Sequence, residues 1–232
     1  MKQPAYALVV FDVAGTTVLD GDIVIDAMAA ALEAGHASVD RAAIRNLMGI
    51  PKPAAIAQLL LQHPIARTGG DAGRVDRIHH DFLRRLHDDY HEHPAVREVF
   101  GARDTFATLR RHGVKVALDT GFDRPTVNLL LGRLGWSVPG LIDCVVTSDE
   151  VYEGRPSPGL IRRAMQLTEV SEPRTVVKVG DTPADIQSGR AAGCGLVVGV
   201  SYGTHAREEL LRHEPTAVID DLPDLLPMVL GR

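Results

Sequence analysis

The 232-residue chain is poor in the features that mark most specialised protein classes. It has only two cysteines, Cys144 and Cys194, far apart in the sequence. That excludes a disulfide framework or a cysteine-built metal site and fits a reducing compartment. There is no excess of positive charge. The formal net charge is -5, which gives no electrostatic footing for nucleic acid or an anionic membrane. No apolar run approaches transmembrane length, and Met1 to Tyr6 lack the basic region and following apolar stretch of a secretory leader. Internal repeats and low-complexity tracts are also missing. What remains is ordinary: 45% hydrophobic and 24% charged residues, enough for a sizeable core. A cytoplasmic globular protein is expected, without nucleic-acid or membrane partners.

Short β-branched runs read as buried parallel strands: "ALVVF", "VKVALDT", "RTVVKVGD" and "GLVVGVS", with "LIDCVVTSD" between the second and third. Amphipathic segments at 101–112, 124–134, 158–168 and 183–192 alternate with them. The pattern predicts an α/β fold, a Rossmann-like parallel sheet covered by helices on both faces. Residues 20–94 differ, with helical patterns and no convincing strand. "GDIVIDAMAAALEAG" reads as a helix closed by glycine, "PAAIAQLLLQHP" as a helix framed by prolines, and "RVDRIHHDFLRRLHDDYHEHP" as a long polar-faced helix. The expectation is therefore a core domain of residues 1–19 and 95–232, with an all-helical cap, 20–94, inserted after the first strand.

In open α/β sheets, chemistry gathers at the carboxyl ends of the strands. The first strand closes on Asp12, the second on Thr120-Gly121, and the fourth on Gly180-Asp181 followed by Asp185. "YEGRPSP" brings Arg155 after the third. Each alone is common loop, cap or turn chemistry. Together they make a constellation. A carboxylate attacks phosphorus to form an acyl phosphate. Two neighbouring anions, Asp12 and Asp181, call for a hard divalent cation such as Mg²⁺. Thr120, the Gly121 amide and Arg155 can hold phosphoryl oxygens, and the loop 13–16, turning tightly at Gly15, would present backbone amides to the same group.

"FDVAGTT", "LDTG", "GRPSP" and "VGDTPADIQSGRAAG" together resemble the four motifs of the haloacid dehalogenase superfamily, over the whole chain. The resemblance implies that fold with its inserted cap, Asp12 as nucleophile, and Mg²⁺ held by Asp12, the Ala14 carbonyl and Asp181. It also implies Thr120 and Arg155 at the phosphoryl group, Thr16 and Gly121 as substrate-binding residues, and Asp185 supporting the metal ligands. Homodimerisation through cap helices is a further implication.

Phosphatases of that superfamily carry an aspartate where this chain has Ala14. Losing a general acid costs on the order of 10²–10⁴-fold. Alanine there, with arginine in the third motif, resembles the phosphonoacetaldehyde hydrolase branch. Those enzymes break a carbon–phosphorus bond, whose carbanion needs an electron sink such as a lysine imine. In "NLMGIPKPAAIAQLL", Lys52 matches the imine-forming lysine of that branch and Met48 its pocket methionine. Pro53 as first helical residue would make Lys52 the N-cap, a poor cap at the positive helix end, which lowers its pKa. The expected activity is Mg²⁺-dependent cleavage of phosphonoacetaldehyde or a related carbonyl phosphonate. The alternative is hydrolysis of a small phosphate ester.

Three positions depart from that branch: Ala55 replaces a cap histidine, Phe122 a tyrosine, and Asp22 a small pocket residue. His79, His80, His87, His91 and His93 lie on a segment dense in Arg and Asp and read as a solvated face. "GCGLVVG" precedes a strand and so is no dinucleotide fingerprint, and "TGGDAG" lacks the lysine of a nucleotide phosphate loop.

Overall fold

The computed structural model describes residues 5–62 and 73–231. The end of "PAAIAQLLLQHP" and most of the "RTGGDAGR" loop lie outside the described residues. In chain order, β1 (Leu8–Phe11) and β2 (Val18–Leu19) precede α1 (Ile23–Ala34), α2 (Arg41–Arg45), α3 (Lys52–Gln62) and α4 (Arg74–Glu92). Then come β3 (Arg97–Glu98), α5 (Ala102–Arg111), β4 (Lys115–Asp119), α6 (Arg124–Leu134), β5 (Cys144–Val146) and α7 (Gly159–Leu167). The chain continues through β6 (Val176–Gly180), α8 (Pro183–Ala192), β7 (Leu196–Val200), α9 (Arg207–Leu211), β8 (Ala217–Ile219) and α10 (Leu225–Leu230).

Six strands form one parallel sheet in the order β5-β4-β1-β6-β7-β8. Every residue of β1 is buried, and its side chains alternate between two apolar layers. Val9 and Phe11 join one core, which continues into the helices between β2 and β3. Leu8 and Val10 join a second with Ala117, Ile161 and Ala164. This two-sided burial explains why the strands are continuous apolar runs. Phe11 meets Phe106 at 5.1 Å between ring centroids, and Phe106 meets Trp136 edge-on at 5.3 Å.

Register places the chemistry. Phe11 pairs with Leu118 on one side and Val179 on the other. The three central strands therefore end level, and Asp12, Asp119-Thr120 and Gly180-Asp181 emerge side by side. Strand order reverses at β1, where parallel sheets open a crevice.

The helices between β2 and β3 pack over that crevice. Ile78, Phe82, Leu86 and Tyr90 form one buried stripe on α4, four residues apart, against an otherwise charged surface. β2 and β3 pair antiparallel at the base of this insertion. Their two-residue strands, the short α2 and the edge strand β8 lie beyond what the sequence pattern predicts.

One expectation is corrected. α3 begins at Lys52, and the Ala55 amide donates to the Pro51 carbonyl at 3.0 Å. Lys52 is thus the first helical residue and Pro51 precedes it, because a ring with no N–H fits either of the first two helical positions. Lys52 still faces the positive end of the helix.

Candidate active site

The loop after β1 turns back on itself, with the Gly15 amide donating to the Val18 carbonyl at 2.8 Å. Gly15 has φ +82°, and a Cβ there would fall 2.2 Å from Asp181 Oδ2. Only glycine lets the two strand-end loops meet so closely. Asp12, at the start of this turn, is buried and accepts a hydrogen bond from Arg155 Nη2 on Oδ1 at 2.6 Å.

Arg155 is also buried and spans two carboxylates, reaching Asp185 Oδ1 through Nη1 at 2.5 Å. Asp185 sits at the third position of α8, where it forms a reciprocal cap with Thr182. Lys178 lies 3.0 Å from Asp185 Oδ1 and also pairs with Asp119 Oδ1. Both oxygens of Asp185 are therefore engaged, Oδ1 by cations and Oδ2 by Thr182. Burial pushes the Asp185 pKa up, but Arg155 and Lys178 outweigh it and the net shift is downward. It is a fixed anion that aims Arg155.

Sequence reasoning missed Asp119 and Lys178, both fully buried. The available signal was a lysine inside "VVKVG", a run otherwise apolar enough for burial on both faces.

Asp181 is fully buried, with Oδ1 accepting from Thr16 Oγ1 at 3.0 Å and Oδ2 from the Thr204 amide at 2.7 Å. The Thr16 hydroxyl is thus directed at Asp181 and its amide donates to the Val13 carbonyl at 3.3 Å, so its side chain orients that carboxylate.

One oxygen from each of Asp12, Asp181 and Asp185 lies within 4.8 Å of the others. Burial, then the neighbouring carboxylates, push Asp12 up to about 8 despite Arg155, and burial likewise pushes Asp181 up. Burial and mutual repulsion thus oppose the charged forms of Asp12 and Asp181, and a divalent cation between them would relieve both. The donor set fits such an ion: carboxylate oxygens of Asp12 and Asp181 stand close together, and Ala14 lines the same crevice.

The opposite wall comes from the helical insertion. Lys52 is buried, its Nζ lying 3.7 Å from Met48 Sδ and 5.7 Å from the centroid of the Phe122 ring. Burial and the Arg155 charge lower its pKa from 10.5 to about 8, against the pull of Asp12, Asp20 and Asp181. Lys52, Met48 and Gly49 line one cavity together with Asp12, Ala14, Thr120, Gly121 and Arg155. Thr120 is buried, and its Oγ1 accepts from the Phe122 amide at 3.2 Å. The cavity holds ≈ 50 Å³, room for a few water molecules or a phosphoryl group.

Three close approaches seat residues 49–51 on the core. A Cβ on Gly49 would fall 2.3 Å from Thr182 Oγ1, one on Gly121 3.2 Å from the Ile50 carbonyl, and one on Gly154 2.5 Å from Pro51 Cγ. Among the histidines, His87 Nε2 lies 2.8 Å from Thr126 Oγ1, tying α4 to α6.

The sequence model of haloacid dehalogenase-like hydrolases matches residues 9–199. The chain belongs to that family. A phosphoglycolate phosphatase of Pseudomonas putida is 31% identical over 225 residues, covering 95% of this chain and 78% of that protein. A phosphonoacetaldehyde hydrolase of Latilactobacillus sakei is 31% identical over 207 residues, 83% of this chain and 74% of its own length. Among solved structures, a hydrolase from Pseudomonas syringae superposes with a TM-score of 0.83 at 21% identity, covering 95% of this chain and 96% of that one. At that identity the likeness establishes the shared fold. No described helix is long and apolar enough to cross a bilayer.

Proposed function

We propose that this haloacid dehalogenase-like hydrolase cleaves the carbon–phosphorus bond of a small phosphonate bearing a carbonyl group, phosphonoacetaldehyde or a close analogue. The observation that carries this reading is Lys52. A lysine from the insertion is buried over the crevice that holds Asp12, with its pKa brought down to about 8.

At pH 7 a pKa of about 8 leaves roughly a tenth of the amine neutral, about 300-fold more than at 10.5. The neutral Nζ adds to the carbonyl carbon, and loss of water gives a protonated imine. An Asp12 oxygen then attacks phosphorus. The carbon–phosphorus electron pair passes into the C=N⁺ bond, leaving an enamine on Lys52 and an acyl phosphate on Asp12. Protonation of the enamine at carbon and hydrolysis release the aldehyde; water attacking the acyl phosphate releases inorganic phosphate. Ala14 suits this route, because the leaving group needs an electron sink rather than a proton from position 14.

In the same proposal, Asp12, the Ala14 carbonyl and Asp181 hold Mg²⁺, which when bound supplies charge neutralisation between nucleophile and phosphonate. Thr120, the Gly121 amide and Arg155 receive the phosphoryl oxygens. Residues 20–94 act as a cap on a core of 1–19 and 95–232, and the cap delivers Lys52.

A second reading, hydrolysis of a small phosphate ester, is favoured by the 31% identity to a phosphoglycolate phosphatase over 95% of the chain. One experiment separates them. Borohydride reduction in the presence of phosphonoacetaldehyde is expected to label Lys52 and inactivate the enzyme. Turnover of a phosphate ester that survives K52A, with no label at Lys52, would establish the second reading instead.

A further inference from the structure

Imine chemistry needs a group that moves protons at the lysine, and Ala55 offers none. The titratable residues around the cavity are few. Asp12 is committed to Arg155 and to phosphorus. Arg155 stays protonated. Asp22 gives both oxygens to Arg45, at 3.3 and 3.1 Å. Asp20 remains. It is partly buried, lines the same cavity and, among the described residues, accepts a hydrogen bond on one oxygen only: Tyr90 Oη donates to Oδ2 at 2.6 Å.

Tyr90 is fully buried on α4, and its pKa is raised well above the ordinary value by burial and by Asp20, so it stays a donor. It fixes one oxygen of Asp20, a residue that lines the cavity, and Oδ1 accepts no hydrogen bond among the described residues. We propose that Asp20, positioned by the Tyr90 hydroxyl, is the acid–base group serving the Lys52 amine where a cap histidine is absent. This rests on the imine reading above.

Asp20 enters as the carboxylic acid and protonates the carbonyl oxygen as the amine adds to the carbonyl carbon. Its carboxylate then takes a proton from the nitrogen and delivers it to the hydroxyl as the C–O bond breaks and water leaves. Reprotonated from solvent, the same carboxyl protonates the enamine carbon after phosphorus has gone, and it recovers a proton from the water that hydrolyses the imine. Its environment suits a group that works in both directions. Burial raises its pKa, as do Asp181 and Asp22, while the Tyr90 hydrogen bond and the Lys52 charge oppose the rise.

The test follows reductive labelling of Lys52 by acetaldehyde and borohydride, by mass spectrometry of the intact chain, in wild type, D20N and D20A. D20N keeps an acceptor for Tyr90 and is expected to label on the order of 10²-fold more slowly. D20A is expected to be equally slow and to regain rate as formate is added, a response that a purely structural carboxylate would not produce. Labelling of wild type with D20N at the same rate overturns this inference alone, as does a slow D20A that formate never accelerates. Wild type that takes no label at Lys52 overturns the imine reading and this inference with it.

Discussion

Lys52 is a buried cation at the positive end of a helix, and its presence should weaken the fold. Its pKa falls from 10.5 in the unfolded chain to about 8 in the folded one. A drop of that size corresponds to about 3 kcal/mol at pH 7, because each unit is worth about 1.4 kcal/mol. Methionine keeps an unbranched chain of similar length with good helix propensity. K52M is therefore expected to be more stable than wild type by up to about 3 kcal/mol at pH 7. Below pH 8 both states carry the proton and the full penalty applies. Between pH 8 and 10.5 the unfolded chain binds more protons, so wild-type stability rises with pH and the gap closes. Above 10.5 it vanishes. Urea denaturation of both proteins from pH 6 to 11, without added metal, measures this through the midpoints. A K52M protein less stable than wild type, or a gap constant across that range, would refute the burial argument. A residue kept at such a cost is one retained for function.

Other outcomes follow from the same geometry. K178M strips the cation from between Asp119 and Asp185, and chemical denaturation should show a loss of about 3–5 kcal/mol, as for other broken buried ion pairs. Mg²⁺ is expected to raise the melting temperature of wild type in a concentration-dependent way and to leave D181N nearly unmoved, by scanning calorimetry. D12N should abolish phosphate release from any substrate while retaining the Lys52 imine, seen as trapping without turnover. G154A places a Cβ against Pro51 and no positive φ strains it. It should keep its melting temperature and lose about tenfold in kcat/KM, roughly 1.4 kcal/mol of transition-state stabilisation.

The core was legible because each central strand is an apolar run ending abruptly in a polar residue, and parallel pairing in register sets those ends level. Asp12, Thr120 and Asp181 needed no more than that. Lys52 and Met48 came from a local pattern, and Lys52 was displaced by one position because a proline fits either of the first two helical positions. The charge network was not legible as a network. Lys178 reaches Asp119 across 59 positions, and no periodicity encodes such a pair. Asp20 was hidden for the same reason: its partner Tyr90 is 70 positions away, on the far side of the insertion. Thr16 was visible but its direction was not, since a hydroxyl in a turn points wherever the nearest buried acceptor lies.

The glycine contacts at 49, 121 and 154 bear on how water reaches the crevice. Residues 49–51 lie so near the core that the chamber behind them has room for only a few solvent molecules. On the proposed route a water-labile imine and a mixed anhydride would both be sheltered there, and both would have to be hydrolysed for aldehyde and phosphate to depart. Side chains that prop this seam ajar would then spoil the order of events before they spoiled the affinity.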